Sequence, residues 1–231
     1  MLWQKGWLET RFRLLFSLGM LSLSSLSLHS LAPGTKTSVL LFLITFISQM
    51  MVVTACAMQA GAGINTQPTF QATKGLHGST QFTLSLPVSR LRLLAVRTTI
   101  GWIETAGAIP VFLCVLWFVS PLLKSRTTPF ALFEYAATLI VCTSALYFLS
   151  VLLATFLDDM WRTWATMIAA GALGWLSYRH ALPSSIDFVR ATGRNSTLIA
   201  HTVPWPAMAF SLALAAIFFV AALKVVQTRE Y

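Results

Sequence analysis

The sequence predicts an all-α integral membrane protein with six transmembrane helices, and three observations carry that expectation. Charged residues make up only 10% of the 231 positions, where a soluble domain normally carries about a quarter. The mean hydropathy is +0.73, and the apolar residues fall in runs long enough to cross a hydrocarbon core of about 30 Å as helices. Most of the 16 Lys and Arg residues flank those runs, as they do around membrane spans. A disordered chain is excluded and an ordinary soluble enzyme strongly disfavoured. The net charge of +9 would suggest nucleic acid in a soluble protein. Here membrane topology accounts for it, and no nucleic-acid partner is expected.

The elements follow in order. In residues 1–13, Trp3, Trp7, Leu8 and Phe12 recur at helical spacing, with Lys5, Glu9, Arg11 and Arg13 between them. That pattern fits an interfacial helix lying in the headgroup plane; a basic leader without structure would show the same charges. The first span, 14–31, is Ser-rich and ends at Ala32-Pro33, a layout that a cleavable signal peptide shares. The amphipathic segment ahead of it and the lack of a clean small-x-small pair favour an uncleaved span. The second span is 39–60. The third, 98–119, carries Glu104 near its start and Pro110 in its middle, so a kink is expected there. The fourth is 135–157, the fifth a short 161–178, and the sixth 207–226. Trp102, Trp117, Trp161, Trp164, Trp175 and Trp205 all sit near span ends, where indoles prefer the interface. Cys56, Cys114 and Cys142 lie inside the runs with no CxxC, and read as small buried hydrophobes.

Six spans put both termini on one side. Ten of the Lys and Arg residues fall on that side and six on the other, which places both termini in the cytoplasm. The inner loop 61–97 is then the longest non-spanning stretch. It opens with Gly61, Gly63, Asn65 and Pro68, and continues as an amphipathic segment with Phe70, Lys74, His77, Phe82 and Leu84. Pro87 reads as an early position of a new helix capped by Ser85, which carries Arg90, Arg92 and Arg97 to the membrane. Positive-inside bias alone explains the charges; apolar side chains such as Phe70 and Phe82 also suit a docking surface. The outer loop 179–206 is rich in Pro and Gly. Its Asn195-Ser196-Thr197 sequon carries no weight by itself.

Catalytic signatures are missing. The sequence has no Gly-x-Ser-x-Gly and no His-Glu-x-x-His, and no lysine follows a glycine as a P-loop requires. His29, His77, His180 and His201 lie at span ends or in loops and propose no metal site. Asp158-Asp159 reads as the end of a helix at the junction of the fourth and fifth spans. Glu104 and Glu134 lie near opposite faces and form no midplane relay of the kind ion-driven carriers use. Glu104 is a candidate for a structural polar contact, with Arg97 one heptad away. Ala170 and Gly174 make a small-x-x-x-small pair, suited to helix packing within the chain or between chains.

The layout resembles the permease subunits of ABC-2 type exporters. The resemblance rests on Phe82-Thr83-Leu84-Ser85-Leu86-Pro87-Val88-Ser89-Arg90, similar to the LPVSR stretch of bacterial members, followed by Leu93-Leu94-Ala95-Val96-Arg97. Leu157-Asp158-Asp159-Met160-Trp161 and the leader Lys5-Gly6-Trp7-Leu8-Glu9-Thr10-Arg11-Phe12-Arg13 are also similar. It covers the whole chain by topology and about thirty residues by motif. The Ser-rich first span departs from it, being less apolar than usual. What the resemblance implies is an N-terminal elbow helix, a cytoplasmic coupling helix between the second and third spans, and a bacterial inner-membrane location. It further implies a second permease copy and a separate ATPase that binds ATP and Mg, with no cofactor on this chain. The segment from Phe70 to Arg90 would dock on that ATPase, with Phe82, Leu84 and Leu86 as buried anchors, Arg90 at the rim, and Phe70, Lys74 and Pro87 contributing. The alternatives are a stand-alone channel or carrier and a non-transporting membrane anchor. The substrate is not legible.

Overall fold

The computed structural model describes residues 3, 4, 7, 10–19, 37–60, 89–193 and 195–228. Among them every regular element is helical and no strand occurs. Helix α1 is described over 10–19. It is followed by α2 (Thr37–Gln59), α3 (Arg90–Val119), α4 (Pro121–Arg126) and α5 (Pro129–Leu153). Then come α6 (Asp159–Tyr178), α7 (Phe188–Thr192), α8 (Thr197–Ala200) and α9 (Trp205–Thr228). Among the described residues three helices are long and apolar enough to cross a membrane: Leu91–Val119 within α3, then α5 and α9. The apolar part of α2, Leu43–Gln59, is shorter. Helix α6 has 20 residues, but Asp159, Arg162 and its many Gly, Ser, Thr and Trp residues dilute its hydropathy.

Caps set the boundaries, and they move several of the expected ones. The Ser89 hydroxyl accepts the Arg92 N–H at 3.3 Å and caps α3; the expected cap Ser85 and Pro87 lie outside the described residues. From Arg90 it runs unbroken through Pro110 to Val119; the Arg90–Arg97 segment and the expected third span are one continuous helix, about 45 Å long. Thr128 caps α5 through the Ala131 N–H, with Pro129 at the first helical position, where its missing N–H costs nothing. This fourth apolar helix therefore begins six residues ahead of Tyr135. Asp158-Asp159 opens α6 where a helix end was expected. The carboxylate of Asp159 in the first turn faces the positive end of the helix dipole.

Helix α5 is the hub. It packs most extensively on α9 and also meets α2, α3, α6, α7 and α8. Tyr135, Leu139, Cys142, Tyr147 and Val151 along it are almost fully buried, as expected of a helix that is hydrophobic all round. Lipid tails compete with apolar side chains, so interhelical hydrogen bonds help to fix partners. The Ser211 hydroxyl of α9 donates to the Cys142 carbonyl at 2.8 Å, and the Trp102 indole of α3 donates to Ser144 at 3.3 Å. Phe118, Phe130, Phe133, Ile168 and Ile217 project outward.

The 179–206 stretch is not an open loop. Phe188, Ala191 and Leu198 join the core, and Asp187, Thr192, Ser196 and Thr197 are buried with them. Helices α7 and α8 fold back into the bundle against α5.

Candidate functional site

Two polar constructions occupy opposite ends of α6. The first gathers where α1, the C-terminal end of α2, the N-terminal half of α3, and the start of α6 meet. Asp159 bridges two guanidinium groups, Arg13 Nη2 at 2.7 Å and Arg162 Nη1 at 3.0 Å. Both arginines also cap α2: Arg13 donates to the Met58 carbonyl at 3.2 Å and Arg162 to the Ala57 carbonyl at 3.3 Å. These carbonyls belong to the last turn of α2, which lacks intrahelical donors and carries the negative end of the dipole. The Arg162 side chain is 1% exposed.

One turn further on, Glu104 is 6% exposed and accepts a short hydrogen bond from the Thr10 hydroxyl of α1. With its amide turned so that nitrogen faces the carboxylate, Gln59 donates to Glu104 Oε2 at 3.1 Å and accepts the Leu14 N–H at 2.9 Å. Tyr147 of α5 donates to the Thr98 carbonyl of α3 at 2.8 Å. Gly101 allows the approach: a Cβ there would lie 2.6 Å from Tyr147 Oη and 2.9 Å from the Gln59 carbonyl. The cluster is thus a joint that locks α1, α2, α3 and α6 together, with α5 beside it.

The second construction is built by α7. Asp187 caps it, accepting the Arg190 N–H at 2.9 Å, and also accepts the Ser177 hydroxyl of α6 at 2.7 Å. Gln49 of α2 donates to the Val189 carbonyl and to Thr192 Oγ1, both at 2.6 Å, while Tyr135 donates to the Thr192 carbonyl at 3.1 Å. Gln49 lies twelve residues into α2, or about 18 Å along it. Beside α7, a groove of about 380 Å³ runs between α2 and α6.

Of the residues singled out in the sequence, Phe70, Lys74, Phe82, Leu84, Leu86 and Pro87 lie outside the described residues. Arg90 is the first residue of α3. Glu104 makes its polar contacts with Thr10 and Gln59. Ala170 and Gly174 both line the groove, and among the described residues no atom lies within 4 Å of where a Gly174 Cβ would be; there the small pair leaves space instead of a close helix contact. Sequence reasoning passed over Arg162, although a guanidinium one turn inside an apolar run is itself a signal. It had no means of finding Gln49 or Thr10. Among the described residues no three His, Cys, Asp or Glu side chains group as a metal site. No protein-family model, curated protein or solved structure matches the chain.

Proposed function

We propose that this chain is the membrane-spanning permease subunit of an ATP-driven exporter similar to the ABC-2 type, with ATP and Mg bound by a separate cytoplasmic ATPase. The supporting observation is the joint at the start of α6. Gln59 precedes the 61–88 segment and α3 follows it, and both enter the same network with α1 and α6. A push on the 61–88 segment would therefore reach several helices at once. Partly buried charge pairs with defined geometry suit that task better than an apolar contact, because they move as a unit or break.

In this reading α1 is the elbow helix leading into the first of six spans, and both termini and the joint face the cytoplasm of a bacterial cell. The groove beside α7 then lies toward the outer face. A second permease copy completes the passage. Phe82, Leu84 and Leu86 seat in the ATPase, with Phe70, Lys74, Pro87 and Arg90 around them.

The test is co-purification. The chain expressed with its candidate ATPase should retain that subunit, and deleting residues 70–90 should release it. Phe82→Asp should abolish stimulated ATP hydrolysis while the membrane part still folds. Transport against a gradient by vesicles containing this chain alone would replace the reading with a self-sufficient carrier. Retention of the ATPase by the deletion variant would remove the docking segment.

A further inference from the structure

The groove between α2 and α6 belongs to neither the joint nor the docking segment. Its volume of about 380 Å³ lies in the range of small-ligand pockets, about 300–1,000 Å³. One wall is Phe46 and Met50 of α2; the other is Ala170, Gly171 and Gly174 of α6. A smaller space of about 50 Å³ continues it inward past Val53 and Leu146 to Cys142 on α5. Among the described residues, Gly171 and Gly174 have no atom within 4 Å of an added Cβ, so the floor is open because side chains are missing there. The exposed lining is mostly apolar, with Thr45, Gln49 and Ser177 among it.

One end is different. Arg190 and His180 stand at the α7 end of the groove, with Arg190 Nη1 3.1 Å from His180 Nδ1. Arginine can only donate, so Nδ1 is the acceptor and the imidazole carries its proton on Nε2, leaving a second N–H for a ligand. Arg190 makes no ion pair with a carboxylate among the described residues, and its Nε is buried without a partner. The nearby Asp187 does not neutralise it: that carboxylate is 1% exposed and already accepts Ser177 Oγ and the Arg190 N–H.

We propose that the groove binds an anionic, chain-bearing amphiphile, its acidic headgroup against Arg190 and His180 and its acyl chain along the α2–α6 wall. A purely apolar occupant would leave the arginine unmatched, and a small anion would leave the groove empty. A second copy of the chain would need an acid at this level. Asp187 is committed, and the other described acid toward this end, Glu134, sits on α5 and not at the groove. The site requires only that the chain sit in a bilayer; it does not depend on the exporter reading.

The experiment uses the full chain in lipid nanodiscs, with lipid retention read by native mass spectrometry and thermal unfolding read in parallel. Phosphatidylglycerol should be retained about tenfold better than phosphatidylcholine, the scale one charge-assisted contact supports. Inorganic phosphate should give no thermal shift. Arg190→Gln should equalise the two lipids. Gly174→Leu should displace both while unfolding at no lower temperature, because the added side chain enters open space and leucine is the better helix former. Equal retention by the unaltered chain would overturn the proposal. Protection by phosphate as large as that by the lipid would make this a headgroup-only anion site. Loss of dimer without loss of lipid in Gly174→Leu would make the groove a chain–chain interface. Binding of an ATPase bears on the proposed function alone and leaves this result untouched.

Discussion

Replacing Asp159 with asparagine tests whether the joint is held by charge or by shape. The carboxylate serves two guanidinium groups, and the side chains are 1% exposed for Arg162 and 32% for Asp159. Removing one partner of a fully buried pair costs about 3–5 kcal/mol, while an exposed pair is worth about 0–1 kcal/mol. Asp159 lies between these limits. Water reaches one side of it, and asparagine keeps an oxygen for one arginine, so Asp159→Asn should cost about 2 kcal/mol. Arg162→Met removes the buried cation along with its bond to the Ala57 carbonyl and fills much of the same volume; about 1 kcal/mol is expected, since the acid it leaves, Asp159, is reached by water and keeps Arg13. The double variant should cost about 1 kcal/mol less than the sum, because the charge left stranded by Asp159→Asn is gone. Unfolding in mixed micelles titrated with SDS, followed by tryptophan fluorescence, reads all three. Strict additivity, or a loss under about 0.5 kcal/mol for Asp159→Asn, would mean that the charges are ornamental and packing alone holds the joint.

Two further predictions use the same protein. Gly101→Ala should cost about 2–3 kcal/mol, because its Cβ meets both a buried phenol oxygen and a backbone carbonyl that cannot retreat. Adding Tyr147→Phe should recover part of the loss by deleting one of those atoms; a Gly101→Ala protein as stable as the parent would refute the close approach. Reporter fusions at Gly78 and Ser184 should lie on opposite faces of the membrane, and a same-face result would mean that α6 does not span. Gly193 is unsuitable for the second fusion, since a Cβ there would lie 3.0 Å from the Gln49 side chain, whereas Ser184 is exposed.

Hydropathy locates the helices well and their ends less well. The apolar content of the third run fades below Thr98, but Arg90-Leu91-Arg92-Leu93-Leu94-Ala95 are all good helix formers, so α3 continues to the Ser89 cap. Likewise Thr128-Pro129 is a start signal stronger than the drop in hydropathy that pointed to Tyr135. The outer segment is harder. Pro183, Gly193 and Pro204 announce turns, and helices as short as α7 and α8 have no periodicity to read. The seat of α7 depends on Gln49 and Tyr135, more than 50 positions away in the chain. The joint is non-local in the same sense, since Thr10 and Glu104 are 94 residues apart. What could be read was the anomaly in each run: a lone Glu104, and an Arg162 that belonged to neither loop.

The fold-back of α7 gives a case where counting bonds and accounting for orphans disagree. Gln49 makes two hydrogen bonds to α7 and Tyr135 makes one, so a simple count makes Gln49 the more important. After Gln49→Leu, however, the Val189 carbonyl still accepts the Gly193 N–H at 3.1 Å. Thr192 Oγ1 still donates to the Phe188 carbonyl at 3.0 Å. No buried group is stranded, and leucine adds apolar contact, so about 1 kcal/mol is expected. The Thr192 carbonyl, by contrast, has Tyr135 as its partner among the described residues. That end of α7 is buried, and Tyr135→Phe leaves the carbonyl with nothing, at a cost of about 2 kcal/mol. Amide exchange across 187–198 should accelerate more in Tyr135→Phe than in Gln49→Leu. The opposite order would show that the side-chain amide, and not the satisfaction of a buried carbonyl, holds α7 inside the bundle.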